Sequence, residues 1–187
     1  MGEVDLTDPI ITVTEEIALR AIKTEDSAIL LNLMHRIYKP VYERLWLDDG
    51  SWYVNETYSK ANIERELDDE RSHYYFVLRE SDIIGILRVV PGEGIPGFEG
   101  SDVVKLHRIY LDPQIIGKGI GQTLITWVEE KFCRQPNSVM WLEVMDTEVR
   151  AIKFYEKLGF ETVGKKTLGF AMMRSELRGM YTMIKRY

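Results

Sequence analysis

The chain has 187 residues, of which 45% are hydrophobic and 29% charged, a balance typical of folded globular proteins. This length predicts a single domain over residues 1–187, with a core that needs no metal or disulfide. The formal net charge of −6 argues against general nucleic-acid binding, because neutralising phosphates requires a basic face.

The first twenty residues are acidic, and no apolar stretch of the sequence approaches the length of a membrane span. Cys133 is the single cysteine, so no intramolecular disulfide can form, which is consistent with a reducing compartment. We therefore expect a cytoplasmic protein with no membrane partner.

The first half of the chain predicts one strand, two helices and then a hairpin. Alternating apolar and polar residues predict a strand over 17–23, and Thr24 is a candidate N-cap for a helix that Pro40 ends or kinks. The elements predicted after it are a helix over about 56–67, strands over 74–79 and 83–90, and a loop over 91–100.

The second half alternates strands with helices, and Gly159 stands where a left-handed helix C-cap is expected. The predicted elements are strands over 103–111, 139–145, 160–163 and 180–185, and helices over 119–132 and 147–158. Helices placed among consecutive strands indicate a mixed α+β sheet with helices on both faces. Segment 103–145 is a parallel crossover unit, and we expect a ligand where its two strands switch.

The strongest chemical signal is the glycine-rich turn 116–121 (IGKGIG), between a strand and a helix. Alternate glycines let successive backbone N–H groups converge on one point, and the helix start favours negative charge. The turn therefore predicts a pyrophosphate site, to which Lys118 adds positive charge. A tight turn without a ligand is the simpler alternative.

Two other phosphate-binding loops do not fit the turn. The dinucleotide fingerprint needs a third glycine one place later, where Gln122 stands, and the Walker loop needs Ser or Thr where Gly119 stands.

Three motifs together resemble the GNAT superfamily of N-acetyltransferases: 106–113 (LHRIYLDP), the glycine turn, and 151–160 (AIKFYEKLGF). The segments 167–170 and 180–183 are also loosely similar to bacterial polyamine N-acetyltransferases. The resemblance implies an α/β/α three-layer fold with a mostly antiparallel central sheet of about seven strands. It also implies acetyl-CoA (coenzyme A) as cosubstrate.

The resemblance places acetyl-CoA on main-chain groups of the strand and turn. The residues it assigns to cofactor binding are Ile109, Tyr110, Leu111, Ile116, Gly117, Lys118, Gly119, Ile120, Gly121, Gln122, Glu148, Phe154, Tyr155 and Lys157. Two of them depart from the family pattern, which usually has Gln or Arg at the position of Ile116 and Asn at that of Glu148. These departures weaken individual contacts and leave the amide cradle intact.

Acetyl transfer to an amine requires removal of an amine proton, stabilisation of the oxyanion that forms and, in many schemes, protonation of the departing thiolate. The resemblance assigns thiolate protonation to Tyr155, for which a core aromatic is the alternative reading. The candidates for the general base are His107, Glu143 and a base acting through water. The oxyanion would be met by a backbone N–H near Ile109.

His107 is either cleft-facing or a packed polar residue, because strand alternation places it with Ile109 and Leu111, opposite Leu106, Arg108 and Tyr110. The three histidines are scattered, without metal-ligand spacing, so no metal is expected.

The acceptor is expected to bind near an aromatic and acidic segment, while the charged run 64–71 is interpreted as a solvated helix face. The segment carries Tyr38, Tyr42, Trp46, Asp48, Asp49, Trp52 and Tyr53. Such residues suit a small primary amine, with a polyamine as one candidate, although a buried aromatic cluster with an acidic N-cap explains them too. The alternative functions are an acetyl-CoA sensor without turnover and a peptide or protein N-terminal acetyltransferase. The expected assembly is a monomer or homodimer.

Overall fold

A computed structural model describes residues 9–100 and 102–187, in which eight strands and five α-helices are found. In chain order they are β1 (Ile10–Thr12), β2 (Ile17–Ala21), α1 (Ser27–Tyr42), α2 (Ser51–Thr57), α3 (Lys60–Leu67), β3 (His73–Arg79), β4 (Asp82–Pro91), β5 (Val103–Leu111), α4 (Ile120–Phe132), β6 (Val139–Met145), α5 (Val149–Lys157), β7 (Glu161–Thr167) and β8 (Gly179–Arg186). No helix among these residues is both long and apolar enough to cross a bilayer.

The strands form one sheet in the order β1-β2-β3-β4-β5-β6-β8-β7. Every neighbouring pair is antiparallel except β5 and β6, which are the two ends of the crossover through α4. The mixed, mostly antiparallel sheet is confirmed. It has one strand more than predicted, the three-residue β1 at the edge.

Two apolar clusters on opposite faces of the sheet make the three layers. On one face α1, α2 and α3 cover the sheet, with Leu30, Met34 and Phe76 fully buried. On the other face α4 contributes Leu124 and Val128, and α5 packs beside it. Helices on both faces are therefore confirmed.

The first helix differs from the prediction at both ends. Thr24 is not its cap: a 3₁₀ turn over Thr24–Asp26 precedes α1, and the Asp26 carboxylate accepts from the Lys23 amide at 2.9 Å. Pro40 neither ends nor breaks the helix, which runs on to Tyr42. Because Pro40 lies in the last turn, little helix remains to be disrupted, and the rings of Tyr38 and Tyr42 hold that turn against the core.

The helix α2 was not predicted, and α3 accounts for the helix expected over 56–67. Gly50, with φ 87°, reverses the chain ahead of α2, and the Asp48 carboxylate accepts from the Trp52 amide at 2.6 Å. Gly159 has φ 89°, and its amide donates to the Glu156 carbonyl at 3.0 Å, so the predicted left-handed C-cap of α5 is confirmed.

Candidate active site

The two parallel strands at the centre of the sheet separate after three residue pairs. Val103–Lys105 pair with Val139–Trp141, and beyond them β5 and β6 run on without pairing to each other in the described chain. Backbone groups of β5 that face this gap are therefore available to another extended partner. Ile109 and Tyr110 line the gap, while Leu111 packs against the cluster beneath α4.

A β-bulge in β5 changes which residues share a face. Arg88 of β4 is opposite Arg108 and Val89 is opposite Leu106, so His107 is an extra residue without a partner across the pair. Leu106 consequently packs in the same cluster as Ile109 and Leu111. The predicted placement of Leu106 on the face of Arg108 and Tyr110 is thus wrong, because alternation holds only in a regular strand.

His107 lines the cavity and also packs against a charged side chain. The Arg88 guanidinium donates to His107 Nδ1 at 2.8 Å. Burial, together with the nearby cations Arg108, Arg88 and Lys105, lowers the pKa of His107 to about 2. The ring is neutral at physiological pH, and because Nδ1 accepts, its proton resides on Nε2.

The Arg88 side chain belongs to a buried ion cluster that the sequence did not indicate. Glu66 of α3 accepts from Arg108 at 2.6 and 2.8 Å and lies 3.2 Å from Arg88. Its side chain is 12% exposed, so it points into the protein although it lies in the charged run predicted to be a solvated face. Glu66 and Arg108 of this cluster line the cavity.

The glycine turn leaves a set of amides free for a ligand. Gly117 and Gly119 have φ values of 88° and 79°, and open space surrounds the position of a Cβ at either residue. Lys118 is an exception, since its amide donates to the Ile115 carbonyl at 3.3 Å. The amides with no hydrogen-bond partner in the described residues are those of Gly117, Gly119, Ile120, Gly121 and Gln122.

The third glycine of the turn serves helix packing. A Cβ at Gly121 would lie 3.3 Å from Phe154 Cζ, so this glycine lets α4 approach the ring on α5. Ile116, at 64% exposure, leaves the turn without a packed side chain beside it, and Lys157 is exposed at the end of α5. A smaller cavity of about 330 Å³ lies between Lys118 and the segment 14–17.

Tyr155 lies on α5 at the end of the gap between β5 and β6. Its ring makes an edge contact with Phe160 at 5.7 Å between centroids, and it also lines the cavity. The residue therefore packs in the core and also faces the cavity, and its role in thiolate protonation stays a prediction. Burial raises the pKa of Tyr155 to about 12, so the phenol keeps its proton at neutral pH.

Two carboxylates on the β6 side of the cavity are held in ion pairs. Glu143 of β6 pairs with Lys166 of β7. Glu148, at the start of α5, pairs with Arg44, which follows α1. The second pair joins the α1 side of the cavity to the α5 side.

Aromatic rings from three parts of the chain surround the remaining part of the cavity. Tyr38 is 4.7 Å from Tyr42 and 5.0 Å from Tyr53 between centroids, and Phe170 lies 5.8 Å from Trp52. The aromatic residues that line the cavity are Tyr38, Tyr42, Trp46, Trp52, Tyr53, Tyr110, Tyr155 and Phe170. Phe170 was not predicted at this site, since it follows β7 and has no helical or strand periodicity to place it.

Asp48 and Asp49 do not line the cavity, contrary to the expectation for an acidic acceptor segment. Asp48 caps α2, and Asp49 pairs with Lys39 and accepts from the Ser51 hydroxyl. Their carboxylates are used by the local turn, as the acidic N-cap alternative describes.

The gap, Tyr155, His107 and the rings share one cavity of about 750 Å³. Glu143 and Glu148 also line it, so all three predicted catalytic candidates face the same space. Among residues 9–100 and 102–187 there is no group of three His, Cys, Asp or Glu side chains placed to hold a metal ion.

Comparison with known families gives a match over most of the chain. The family profile described as "Acetyltransferase (GNAT) family" matches residues 31–160. The N-alpha-acetyltransferase RimI of Mycobacterium tuberculosis is 28% identical over 121 residues, covering 65% of this chain and 68% of that protein. Two relatives described as uncharacterised N-acetyltransferases, from Lactobacillus delbrueckii subsp. lactis and Methanocaldococcus jannaschii, align over only 65% and 30% of their own lengths.

Solved structures share the fold. The PaiA N-acetyltransferase of Thermoplasma acidophilum, in complex with coenzyme A, superposes with a TM-score of 0.67 at 20% identity, covering 91% of this chain and 99% of that one. A chimera of the Vibrio cholerae spermidine N-acetyltransferase SpeG and hSSAT gives 0.65 at 18% identity, covering 92% and 96%. At these identities the likeness is one of fold.

Proposed function

The chain belongs to the acetyltransferase (GNAT) family, and we propose that it transfers the acetyl group of acetyl-CoA directly to a primary amine of a small molecule. One observation carries this proposal. The unpartnered amides of the glycine turn lie on the crossover between β5 and β6, and the cavity at the gap between these strands contains Tyr155 and an aromatic wall.

The residues present fit acetyl-CoA. The free amides of the glycine turn, which exclude that of Lys118, lie with the start of α4. They suit a pyrophosphate, because they offer donors and a favourable potential, and open space surrounds Gly117 and Gly119. The backbone of Ile109 and Tyr110 suits the amide-bearing arm, which can pair there as an added strand. When bound, acetyl-CoA supplies the activated acetyl group.

Tyr155 is proposed to donate a proton to the leaving sulfur. Its raised pKa keeps the phenol in its donor form at neutral pH, and the residue lines the same cavity as the gap. A backbone N–H near Ile109 is proposed to meet the carbonyl oxygen as negative charge develops there.

Glu143 is the proposed base, acting directly or through water. His107 is poorly suited to the role, because its Nδ1 lone pair is engaged by Arg88 and its Nε2 carries a proton. We propose that His107 donates a hydrogen bond into the cavity instead. In the proposed reaction the amine nitrogen forms a bond to the acetyl carbon, and the carbon–sulfur bond of acetyl-CoA breaks. The nitrogen loses one proton and the sulfur gains one, so atoms and charge balance.

Polyamines are one candidate for the acceptor. The loose similarity of segments 167–170 and 180–183 to polyamine N-acetyltransferases supports them, as does the shared fold with the spermidine enzyme. The relative named as an N-alpha-acetyltransferase supports the alternative, a peptide N-terminus.

Calorimetry with acetyl-CoA, followed by detection of released thiol with a panel of amines, tests the proposal. We expect binding and thiol release with at least one small primary amine. If acetyl-CoA binds but no amine or peptide causes thiol release, the chain is the acetyl-CoA sensor. If only peptides with free N-termini cause thiol release, it is the protein acetyltransferase.

A matched pair of variants tests the cradle. Gly117→Val places a side chain beside the free amides at a residue with positive φ, whereas Gly169→Val adds one in open space in the loop before β8. We expect the first to weaken acetyl-CoA binding by about tenfold or more and the second to leave it unchanged. Equal affinity in both variants would contradict the assignment.

A further inference from the structure

The carboxylates that line the cavity are already neutralised by cations of the same chain. Of the four in the described lining, three sit in ion pairs, and the fourth, Glu56, is exposed at the rim. The pairs are Glu66 with Arg88 and Arg108, Glu143 with Lys166, and Glu148 with Arg44.

This neutralisation works against a substrate that carries several ammonium groups. A polyamine keeps at least one charged nitrogen while another reacts, and a charge moved into a cavity needs a counter-charge. Glu56 at the rim could meet one such charge, but a charge held deeper in the cavity would require Glu143 or Glu148 to leave its resident cation. A single reacting amine has no such need, because it enters the chemical step neutral.

The main chain beside the aromatic rings is closed to a peptide. The Leu47 amide donates to the Met172 carbonyl at 2.9 Å, and the Arg174 amide donates to the Leu45 carbonyl at 2.9 Å. The loop between β7 and β8 thereby uses the groups of the segment 45–47 that an extended peptide would need. This docked segment, residues 168–178, forms a clasp over segment 45–47.

The clasp also completes an aromatic wall. Phe170, on the clasp, lies 5.8 Å from Trp52 and 6.1 Å from Tyr53 between centroids, and it is 36% exposed. Trp46 behind them is fully buried, and its indole N–H donates to the Tyr38 hydroxyl at 3.0 Å. Trp46 and Tyr38 thus form a hydrogen bond to each other. The faces and edges of Trp52, Tyr53 and Phe170 remain for a ligand.

We propose that the acceptor is a primary monoamine carried on an aromatic or bulky apolar body. This inference rests on the proposed function. The body packs against the cavity-facing sides of Trp52, Tyr53 and Phe170, and the amine points toward Tyr155. The rings supply no counter-charge, and Glu143 and Glu148 are already paired, so the site favours the neutral amine that must attack.

A panel of acceptors from the competing chemical classes tests the inference. The probes are 2-phenylethylamine, tryptamine, n-hexylamine, the diamine putrescine, spermidine and an Ala-initiated tripeptide, with released thiol as the readout and acetyl-CoA binding measured in parallel. We expect kcat/KM for the two aryl monoamines to exceed that for putrescine and spermidine by about tenfold or more. A preference for putrescine or spermidine overturns the inference and leaves the proposed function standing, whereas a preference for the tripeptide overturns the inference and favours the protein acetyltransferase. Bound acetyl-CoA with no thiol released by any probe contradicts the proposed function itself.

Releasing one carboxylate provides a second test. Lys166→Gln unpairs Glu143, and Lys165→Gln is the matched control, because the neighbouring Lys165 pairs with Asp146 outside the cavity lining. With putrescine and n-hexylamine as competing acceptors, we expect the preference for putrescine to rise roughly fivefold in the first variant and to stay constant in the second. The comparison of two acceptors cancels any common effect on the chemical step. An unchanged preference in Lys166→Gln would show that neutralisation does not set the acceptor class.

A third test addresses the wall. Phe170→Ala should lower kcat/KM for tryptamine about tenfold while changing that for n-hexylamine much less, and Phe98→Ala, in a separate cluster against Trp141, should change neither. An equal loss with both amines in Phe170→Ala would assign the ring to folding and not to recognition.

Discussion

Tyr155 illustrates how one side chain can both pack in a core and face a cavity. Its ring rests on Phe160 within the core beneath α4, the residue also lines the cavity, and its burial keeps the proton on oxygen. Its place was predicted from a motif, and its protonation follows from burial. The burial that is typical of a structural residue also keeps the phenol protonated, as a proton donor must be.

Replacing Tyr155 with Phe removes the hydroxyl and keeps the packing. We expect kcat to fall about a hundredfold, within the usual contribution of a positioned acid, and acetyl-CoA affinity to change less than about twofold. Steady-state kinetics and calorimetry measure the two quantities, with Tyr181→Phe as the control, since Tyr181 does not line the cavity. Turnover equal to that of the unmodified chain would remove Tyr155 from the mechanism.

His107 makes the stability of the fold depend on pH. Its pKa in the folded chain is about 2, below its ordinary value of 6.5, so below pH 6.5 the unfolded chain binds a proton that the folded chain does not. Stability from the neutral ring is therefore complete above pH 6.5 and is lost as pH falls toward 2.

We expect the free energy of unfolding to decrease by about 1 kcal/mol per pH unit below about pH 6, and this slope to be smaller in His107→Gln. Urea denaturation across about pH 4 to 7 measures the slope. His35→Gln, on the surface of α1, is the control. An identical slope in His107→Gln would mean that the ring is protonated in the folded chain.

At the scale of elements, the sequence predicted those strands and helices that show a clear hydrophobic period and are bounded by turn residues. The helices α1, α4 and α5 and the strands β3 to β6 and β8 lie close to their predicted ranges. The helix α2 was missed because it is short and depends on Asp48 and Gly50 for its start. The bulge at His107 was missed because it arises from the register between β4 and β5, which a single strand does not encode.

The C-cap of α5 offers a test at this scale. Gly159→Ala forces a residue with a Cβ into φ 89°, whereas Gly169→Ala meets no neighbour and lies outside the left-handed region. We expect the first to lower the free energy of unfolding by about 1 kcal/mol and the second to change it by less than about 0.5 kcal/mol in urea denaturation. Equal stability of the two variants would show that the cap tolerates a side chain.

For the whole molecule, the strand and helix order together with three motifs was enough to predict the fold and the family. The candidate site divides differently. The part proposed to bind acetyl-CoA lies on motifs with fixed spacing. The part proposed to bind the acceptor joins residues 38–53 to Phe170, which is far away in the chain. No local sequence pattern predicts such a contact. The ion pairs that neutralise the carboxylates of the cavity also join residues that are far apart in the sequence.

Acetyl-CoA should stabilise the whole fold, because its proposed site connects the turn before α4 with both central strands. At a concentration about a hundredfold above its dissociation constant, it should add about 2.7 kcal/mol, which raises the Tm of a chain this size by roughly 5–10 °C. Differential scanning calorimetry measures the shift, and Gly117→Val should reduce it at the same concentration. No shift in the unmodified chain would argue against tight binding to the folded state.

The clasp has a consequence for how such a protein can diversify. Its attachment to segment 45–47 uses main-chain atoms, which every residue type except proline can provide. Substitutions in the clasp can therefore reshape the wall of the cavity while the loop stays docked and the glycine turn stays untouched. If the wall binds the acceptor as proposed, new acceptor preferences can arise there by single changes, while the proposed acetyl-CoA site is inherited unchanged.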